Sequence, residues 1–289
     1  MEVIFYEKRK DYKIMTKRFG FTLAEVLITL GIIGVVAAMT IPTLIANTNG
    51  AKFRSQFKKS ISTLNQAGLM SQAQYDFDYA GTSSTCAAAT GADGKTAVAP
   101  AEQHPDSVMS MCAILNGTLT GQTYLGKVST IKRNNNGSSL AYSIVNKGKG
   151  VIKDAYTDYL AYALADGSII AFDPNAQACE LPIGTQLTAK VLAKADPAGK
   201  DDAAKKGGAL GNCMGFIDVN GATLPNKEVT CSDKGSGATA AGSASLNVDK
   251  PCTVKNDAAH MTDVFPIVFH DATVEPASDA AKYILTTSK

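Results

Sequence analysis

One carboxylate, Glu25, lies alone in an apolar stretch of 26 residues, Phe21 to Ala46. No Lys or Arg occurs between Arg18 and Lys52 to neutralise it. A carboxylate within an apolar membrane helix costs about 2.5–3.5 kcal/mol on insertion scales, so a retained helix needs a cation beside it. Hydrolysis of the peptide bond after Gly20 would create that cation, the α-amino group of the next residue, one helical turn from the acid.

The residues around this bond resemble the processing motif of type IV pilins and type II secretion pseudopilins. The motif is carried by Lys17-Arg18-Phe19-Gly20 and the following Phe21-Thr22-Leu23-Ala24-Glu25-Val26-Leu27. The resemblance implies that a membrane prepilin peptidase cleaves after Gly20 and that Phe21 is then N-methylated. It also implies that Glu25 pairs with the amino terminus of the adjacent subunit in a fibre. Three further residues fall where the family carries helix-loosening residues: Gly31, Gly34 and Pro42.

An ordinary secretory signal peptide is the competing interpretation. Its cleavage site would lie near Val36-Ala37-Ala38, and the released protein would start at Met39. Glu25 argues against it, because a disposable signal gains nothing from a carboxylate in its apolar segment. A start at Met15 instead of Met1 would give a short leader and leave the prepilin interpretation unchanged.

The charge distribution predicts the orientation of the apolar segment. Residues 1–20 hold six cations and three acids, and the next cation is Lys52. A helix of 26 residues is about 39 Å long, enough to cross a bilayer core. By the positive-inside rule the N-terminus is cytoplasmic before processing. We therefore expect a single-pass inner-membrane protein that later enters a periplasmic or extracellular filament.

A second helical section is predicted from about Ala51 to Tyr79. Its apolar residues recur with helical spacing: Phe53, Phe57, Ile61 and Leu64. The other faces carry the cations Lys52, Arg54, Lys58 and Lys59. A solvated face is the preferred interpretation of these cations, and contact with lipid headgroups or with acids of a neighbouring subunit is the alternative. Pro42 and Asn47-Thr48-Asn49-Gly50 are predicted weak points of the helix.

Beyond Tyr79 the sequence changes to short strand-like segments. Two of them, 159–165 and 168–172, flank Asp166-Gly167 and predict a hairpin. Another strand is predicted over 214–219, before an Asn220-Gly221 turn. The segment 264–269 is also strand-like, but Pro266 predicts an edge strand or a bulge. The tail from 277 to 285 is predicted to form a short helix.

Short signatures in this part are similar, more weakly, to those of bacterial pilin-like proteins. They are Leu164-Ala165-Asp166-Gly167-Ser168, Phe216-Ile217-Asp218-Val219-Asn220-Gly221 with Pro225-Asn226, and Asp263-Val264-Phe265. The insertion from Lys227 to Thr262 departs from that pattern. Three low-complexity stretches predict long loops: Thr82 to Ala101, Ala193 to Asn212, and Ser232 to Leu246.

All six cysteines follow the apolar segment, as an oxidising exterior permits. Six cysteines allow fifteen pairings. We favour Cys86 with Cys112, Cys179 with Cys213, and Cys231 with Cys252, because each pair would close one of the low-complexity loops. A metal site is the alternative, and it is disfavoured because the sequence contains no Cys-x-x-Cys.

Little in the sequence indicates catalysis. His104, His260 and His270 are isolated, and no nucleophile-elbow or phosphate-loop motif occurs. His270-Asp271 is interpreted as a hairpin turn, and Tyr142, Tyr156, Tyr159 and Tyr162 as sheet-face packing. Asp218 and Asn220, before Gly221, are a weak calcium candidate with no following bidentate Glu, and turn capping is the preferred interpretation. We expect no enzyme and no cofactor beyond this calcium candidate.

The sequence therefore predicts an α+β protein in four parts. They are a leader (1–20), a transmembrane assembly helix (21–46), its amphipathic continuation (47–80), and a head (81–289) with a small antiparallel sheet and disulfide-stapled loops. The predicted function is a filament subunit of a type IV pilus or type II secretion system. Its expected partners are the prepilin peptidase, identical or homologous subunits, an inner-membrane assembly platform and the lipid bilayer. A net charge of +2 predicts no nucleic-acid partner. A minor tip subunit that binds a surface, DNA or secreted cargo is the alternative.

Overall fold

The computed structural model describes residues 20–91, 93–135, 138–141, 156–188, 190–198, 201–231, 252–254 and 261–287. The chain divides into two compact units, Met1–Thr43 and Leu44–Lys289. The described residues form an α+β protein, as predicted, with a long apolar N-terminal helix, a six-stranded antiparallel sheet and three disulfides.

The first helix, α1 (Leu23–Tyr75), is one continuous element of 53 residues. It runs through Pro42 and through the Asn47-Thr48-Asn49-Gly50 stretch without interruption. It ends at Tyr75 because Asp76 adopts a left-handed backbone, with φ of 62°, which an α-helix cannot continue through. The predicted extension to Tyr79 was therefore wrong, and the residues beyond the turn, among them Phe77, fold back into the core.

Within the second unit, α1 packs on the sheet through the predicted apolar face. Phe53, Phe57, Ile61 and Leu64 are all buried. The Phe57 ring stacks on that of Phe265, with centroids 4.3 Å apart. Since burial of one such side chain contributes about 1.5–3 kcal/mol, these residues hold the helix to the sheet.

The cations of α1 lie off this buried face. Lys52 and Lys58 are exposed, as the solvated-face interpretation predicts. Lys59 instead pairs with Asp166, with Nζ 3.1 Å from Oδ2. Because the Lys59 side chain is 64% exposed, this ion pair contributes at most about 1 kcal/mol.

The main sheet has six antiparallel strands in the order β1-β4-β5-β6-β7-β8. Their bounds are β1 Thr123–Lys127, β4 Leu160–Ala163, β5 Ile169–Phe172, β6 Met214–Asp218, β7 Val264–His270 and β8 Thr273–Pro276. A second sheet pairs β2 Lys132–Asn135 with β3 Ser138–Ala141. The helices after α1 are α2 Met111–Thr118, α3 Asp202–Lys206 and α4 Asp279–Thr286. The predicted hairpin (β4–β5), the strand at 214–219 and the C-terminal helix are confirmed.

The prediction that Pro266 marks an edge strand or a bulge was wrong, because β7 lies between β6 and β8. Pro266 pairs with Phe216 in a regular β6–β7 register. Its carbonyl accepts from the Ala277 N–H, on the β8 side, just after β8 ends at Pro276. The Pro266 nitrogen, which carries no hydrogen, points to the same side as its carbonyl. The β6–β7 ladder therefore loses no hydrogen bond.

Both faces of the sheet are buried. One face packs against α1 and includes Tyr162, Phe172 and Phe269. The other face forms a smaller core with Tyr156, Tyr159 and Phe216. The central strands β5, β6 and β7 are consequently buried at every residue, which explains their near-continuous apolar sequence. Sheet-face packing is thus confirmed for Tyr156, Tyr159 and Tyr162, while Tyr142 lies outside the described residues.

The three disulfides join the pairs favoured from the sequence. Cys86–Cys112 ties a loop to α2, and Cys179–Cys213 ties the segment after β5 to the start of β6. Cys231–Cys252 brackets the late insertion. The predicted Ala193–Asn212 loop contains the short helix α3, and the predicted loop at 232–246 lies outside the described residues.

The second unit brings together two signatures that an insertion separates in sequence. The Asp263 carboxylate accepts the N–H of Asn226 at 3.0 Å and that of Lys227 at 2.7 Å. The Asp263 side chain is fully buried. Burial raises the pKa of Asp263 to about 6, although the two N–H groups act to lower it.

We expect the buried Asp263 to make folding stability depend on pH. A carboxyl whose folded pKa is raised binds its proton more tightly when folded, so its contribution to stability grows as pH falls through about 6 toward about 4. Asp263→Asn removes this titration. The difference in free energy of unfolding, wild type minus variant, should be about 1 kcal/mol larger at pH 5 than at pH 7. Urea unfolding of the detergent-solubilised protein measures it, and a pH-independent difference would contradict the expectation.

Candidate processing and assembly site

The predicted cleavage junction lies immediately before α1. Gly20, Phe21 and Thr22 precede the first helical residue, Leu23, and have no regular secondary structure. The Phe21 side chain is 88% exposed. Peptide bonds are cleaved more readily in exposed non-helical segments than inside helices. The bond between Gly20 and Phe21 therefore lies where a peptidase can reach it.

Thr22 and Glu25 form a capping box at the start of α1. The Glu25 carboxylate accepts from the Thr22 backbone N–H and hydroxyl, each at 2.8 Å. The Glu25 N–H donates to the Thr22 hydroxyl oxygen at 3.2 Å. These reciprocal bonds satisfy donors that a helix N-terminus leaves unpaired. This role of Thr22 was not predicted from the sequence, although Thr-x-x-Glu before an apolar run is its known signature.

The capping box fixes the orientation of the Glu25 carboxylate but does not neutralise its charge. Among the described residues Glu25 forms no ion pair. It lies one helical turn beyond Phe21, and both residues line the same shallow depression with Val26 and Thr29. An amino group at Phe21, or one brought by a second chain, would meet the carboxylate on this side of the helix.

The helix after Glu25 is an uncovered apolar surface. Its large side chains between Leu23 and Ile45 are 43–81% exposed. Among the described residues α1 is the one helix long and apolar enough to cross a membrane. Thr29, Thr40, Thr43 and Thr48 donate their hydroxyls to carbonyls three or four residues earlier, so these hydroxyls need no water.

The three predicted helix-loosening residues all lie inside α1. A Cβ added at Gly31 or Gly34 would meet no atom within 4 Å. These glycines therefore leave a smooth surface for another helix to approach closely, and Pro42 removes one backbone donor. A loosening role for them stays a prediction.

Removing the Thr22 hydroxyl should weaken the first turn of α1. Thr22→Val deletes the side-chain half of the capping box, at a cost of about 1 kcal/mol. The first-turn amides should then exchange hydrogen about fivefold faster in detergent, while those of the second unit keep their rates. Thr22→Ser keeps the hydroxyl and is the matched control. Equal exchange in the Val and Ser variants would contradict the capping role.

The side chains of the calcium candidate, Asp218 and Asn220, form local hydrogen bonds. Asp218 Oδ1 accepts the Asn220 N–H at 3.1 Å, and Asn220 Nδ2 donates to the carbonyls of Thr223 and Leu224. This arrangement is the turn capping preferred from the sequence. Among the described residues no group of three or more His, Cys, Asp or Glu side chains is placed to hold a metal ion.

The two histidines that the structure describes each pair with a neighbouring aspartate. His270 and Asp271 lie at the β7–β8 turn, with Nδ1 2.9 Å from Oδ2, which confirms the predicted hairpin turn. His104 pairs with Asp106 at 3.1 Å. His260 lies outside the described residues.

Comparison with known families agrees with this geometry. Residues 15–41 match the family model for the prokaryotic N-terminal methylation motif. No curated protein and no solved structure matches the chain. The matched residues contain the junction at Gly20, the capping box and the apolar start of α1 as far as Ile41. The chain therefore carries, at residues 15–41, the prepilin signal of type IV pilins and pseudopilins.

Proposed function

We propose that this chain is a structural subunit of a type IV pilus-like or type II secretion filament. The observation that carries the proposal is an exposed, non-helical Gly20–Phe21 bond beside Glu25, which forms no ion pair among the described residues and lies at the start of an exposed apolar helix. A prepilin peptidase cleaves after Gly20, and Phe21 becomes the methylated N-terminus. The subunit waits in the inner membrane with its second unit outside, and an assembly platform then transfers it to the fibre.

Cleavage supplies the charge that assembly requires. The new ammonium at Phe21 and the carboxylate of Glu25 are each costly in an apolar environment, and pairing them offsets much of that cost. In a growing fibre the ammonium of an incoming subunit meets the Glu25 of its neighbour. A subunit in the wrong axial register leaves both charges unpaired, so the pair also selects the register.

The N-terminus of the exported protein tests this proposal directly. Mass spectrometry of sheared filaments should find a mature chain that begins at Phe21 and carries one added methyl group. Cells without the prepilin peptidase should retain the full-length chain in the membrane fraction. A mature chain beginning at Met39, or an uncleaved chain in peptidase-competent cells, would refute it.

A tip-located binding subunit is a second candidate. It is favoured by the long excursion between β5 and β6, which carries the fully exposed Ile183 at the Pro182–Thr185 turn. Immunogold labelling along the whole fibre would support the structural role, and labelling confined to the fibre end would support the tip role.

A further inference from the structure

We infer that copies of this chain farther apart along the fibre than those joined by the Phe21–Glu25 pair bind one another through a charged and apolar surface that follows α1 in the second unit. In this contact the basic band of one copy, defined as Lys52, Arg54 and Lys58, faces the acidic rim of the other copy, defined as Asp76, Glu102 and Asp106. The inference rests on the proposed function, because it concerns contacts between subunits of one filament.

Among the residues that the structure describes, the basic band forms no ion pair within its own copy. Between Val26 and Tyr75 the sequence contains four cations and no acid. Lys59 alone of these four forms an ion pair among the described residues. The Arg54 Nε is buried and donates to no acceptor there.

The acidic rim lies at the other end of the same helical section. Asp76 directly follows α1, and Asp106 pairs with His104, whose ring meets the Tyr75 ring edge-on at 5.8 Å. All three rim carboxylates are exposed. The segment 76–106 contains five acids and one lysine, so its charge opposes that of the band.

An apolar groove of about 350 Å³ lies beside the part of α1 that separates the band from the rim in sequence. It runs beside α1 from Lys59 to Met70 and is completed by Leu119 and Leu164. The Asn116 amide of α2 donates to the carbonyls of Pro100 and Gln103. These two bonds hold the segment that contains Glu102 beside α2. The C-terminal end of α2 also lines the groove. The surface thus has an apolar centre between charged ends, as specific protein interfaces do.

The length of the helix prevents the two ends from meeting within one copy. Lys58 and Tyr75 are 17 residues apart on one helix, which is about 26 Å at 1.5 Å per residue. A second copy displaced by about 26–35 Å along this axis brings its band beside the rim of the first. The Phe21–Glu25 pair requires a shift of only about 6 Å, so the two contacts join different pairs of copies in the fibre. Such a contact uses different surfaces on the two copies, so it repeats without closing and generates a filament.

A lipid surface is the other class of partner for the basic band. Anionic headgroups would attract the band, but they would repel the acidic rim that lies along the same helix. Only a partner with both charges matches both ends, and a second copy has them at the required separation.

Carbodiimide cross-linking of filaments tests the contact, because it joins a lysine to a carboxylate only when they touch. Filaments mixed from unlabelled and isotope-labelled subunits should give Lys52 or Lys58 joined to Asp76, Glu102 or Asp106 across copies. The Lys59–Asp166 pair, at 3.1 Å within one copy, is the internal positive control. Wild-type filaments that give this control and no band-to-rim product would overturn the inference while leaving the proposed function intact.

Charge reversal provides the second test. Lys52→Glu with Lys58→Glu, or Glu102→Lys with Asp106→Lys, should each lower filament yield at least tenfold, and the fourfold variant should restore it. Lys282→Glu on α4 is the matched control for one reversed exposed lysine and should assemble normally. If the Lys52→Glu, Lys58→Glu variant forms filaments at unchanged yield but binds anionic vesicles more weakly than the wild type, the inference is overturned and the band binds lipid instead. Failure of the wild type to form filaments would overturn the proposed function as well.

Discussion

Glu25→Gln is expected to abolish filament assembly while cleavage after Gly20 continues. Gln also serves as the third helical residue of a capping box, so the start of α1 is preserved and only the charge is lost. The ammonium of the incoming subunit is then left unpaired in an apolar environment, at a cost of about 3–5 kcal/mol. Filament yield in the sheared fraction, measured by immunoblot, should therefore fall at least about a hundredfold.

Two comparisons separate the charge of Glu25 from its capping role. Thr22→Val disturbs the cap and keeps the carboxylate, so its filaments should still form. Mass spectrometry should show both variants beginning at Phe21, which excludes a failure of processing. Filaments of normal yield from the Gln variant would show that assembly does not depend on the Glu25 charge.

The processing and assembly site was predictable because its parts are neighbours in sequence. The junction, the acid and the apolar helix occupy consecutive residues, and a charge inside an apolar run is visible without a fold. The capping box was equally local, since Thr22 and Glu25 are three residues apart. It was missed because Glu25 was interpreted as the partner of the processed N-terminus and Thr22 was assigned no role.

The second unit was harder to predict because its decisive contacts join distant residues. The Asn226–Asp263 bond spans an insertion, and the sequence does not show that the two segments meet. The prediction for Pro266 was wrong because a proline inside a sheet is tolerated where the neighbouring strand has ended. The sequence does not show that β8 ends at Pro276, beside Pro266. By contrast, the β4–β5 hairpin needed only its own Asp-Gly turn, and it was predicted.

Removal of the Cys179–Cys213 disulfide is expected to be the most destabilising change in the second unit. Both cysteines are buried. Loop closure over their separation of 34 residues contributes about 3–4 kcal/mol. The bond also lies where four segments meet. The Cys179 N–H donates to the Tyr79 carbonyl, the Asp271 N–H donates to the Cys179 carbonyl, and the Phe269 N–H donates to the Cys213 carbonyl. Cys179→Ala with Cys213→Ala should therefore loosen the chain after α1 and the β7–β8 turn together.

The Cys231–Cys252 pair is the matched control, because its separation of 21 residues gives a loop-closure value only about 0.4 kcal/mol smaller. Urea unfolding of the two double-alanine variants in detergent compares them. We expect the Cys179–Cys213 variant to lose at least about 1 kcal/mol more, since its backbone partners lose their alignment. Losses equal within about 0.5 kcal/mol would show that both bonds act through chain entropy alone. In that case Tyr79 and the β7–β8 turn would keep their hydrogen-exchange protection in both variants, and the contacts around Cys179 would not depend on the disulfide.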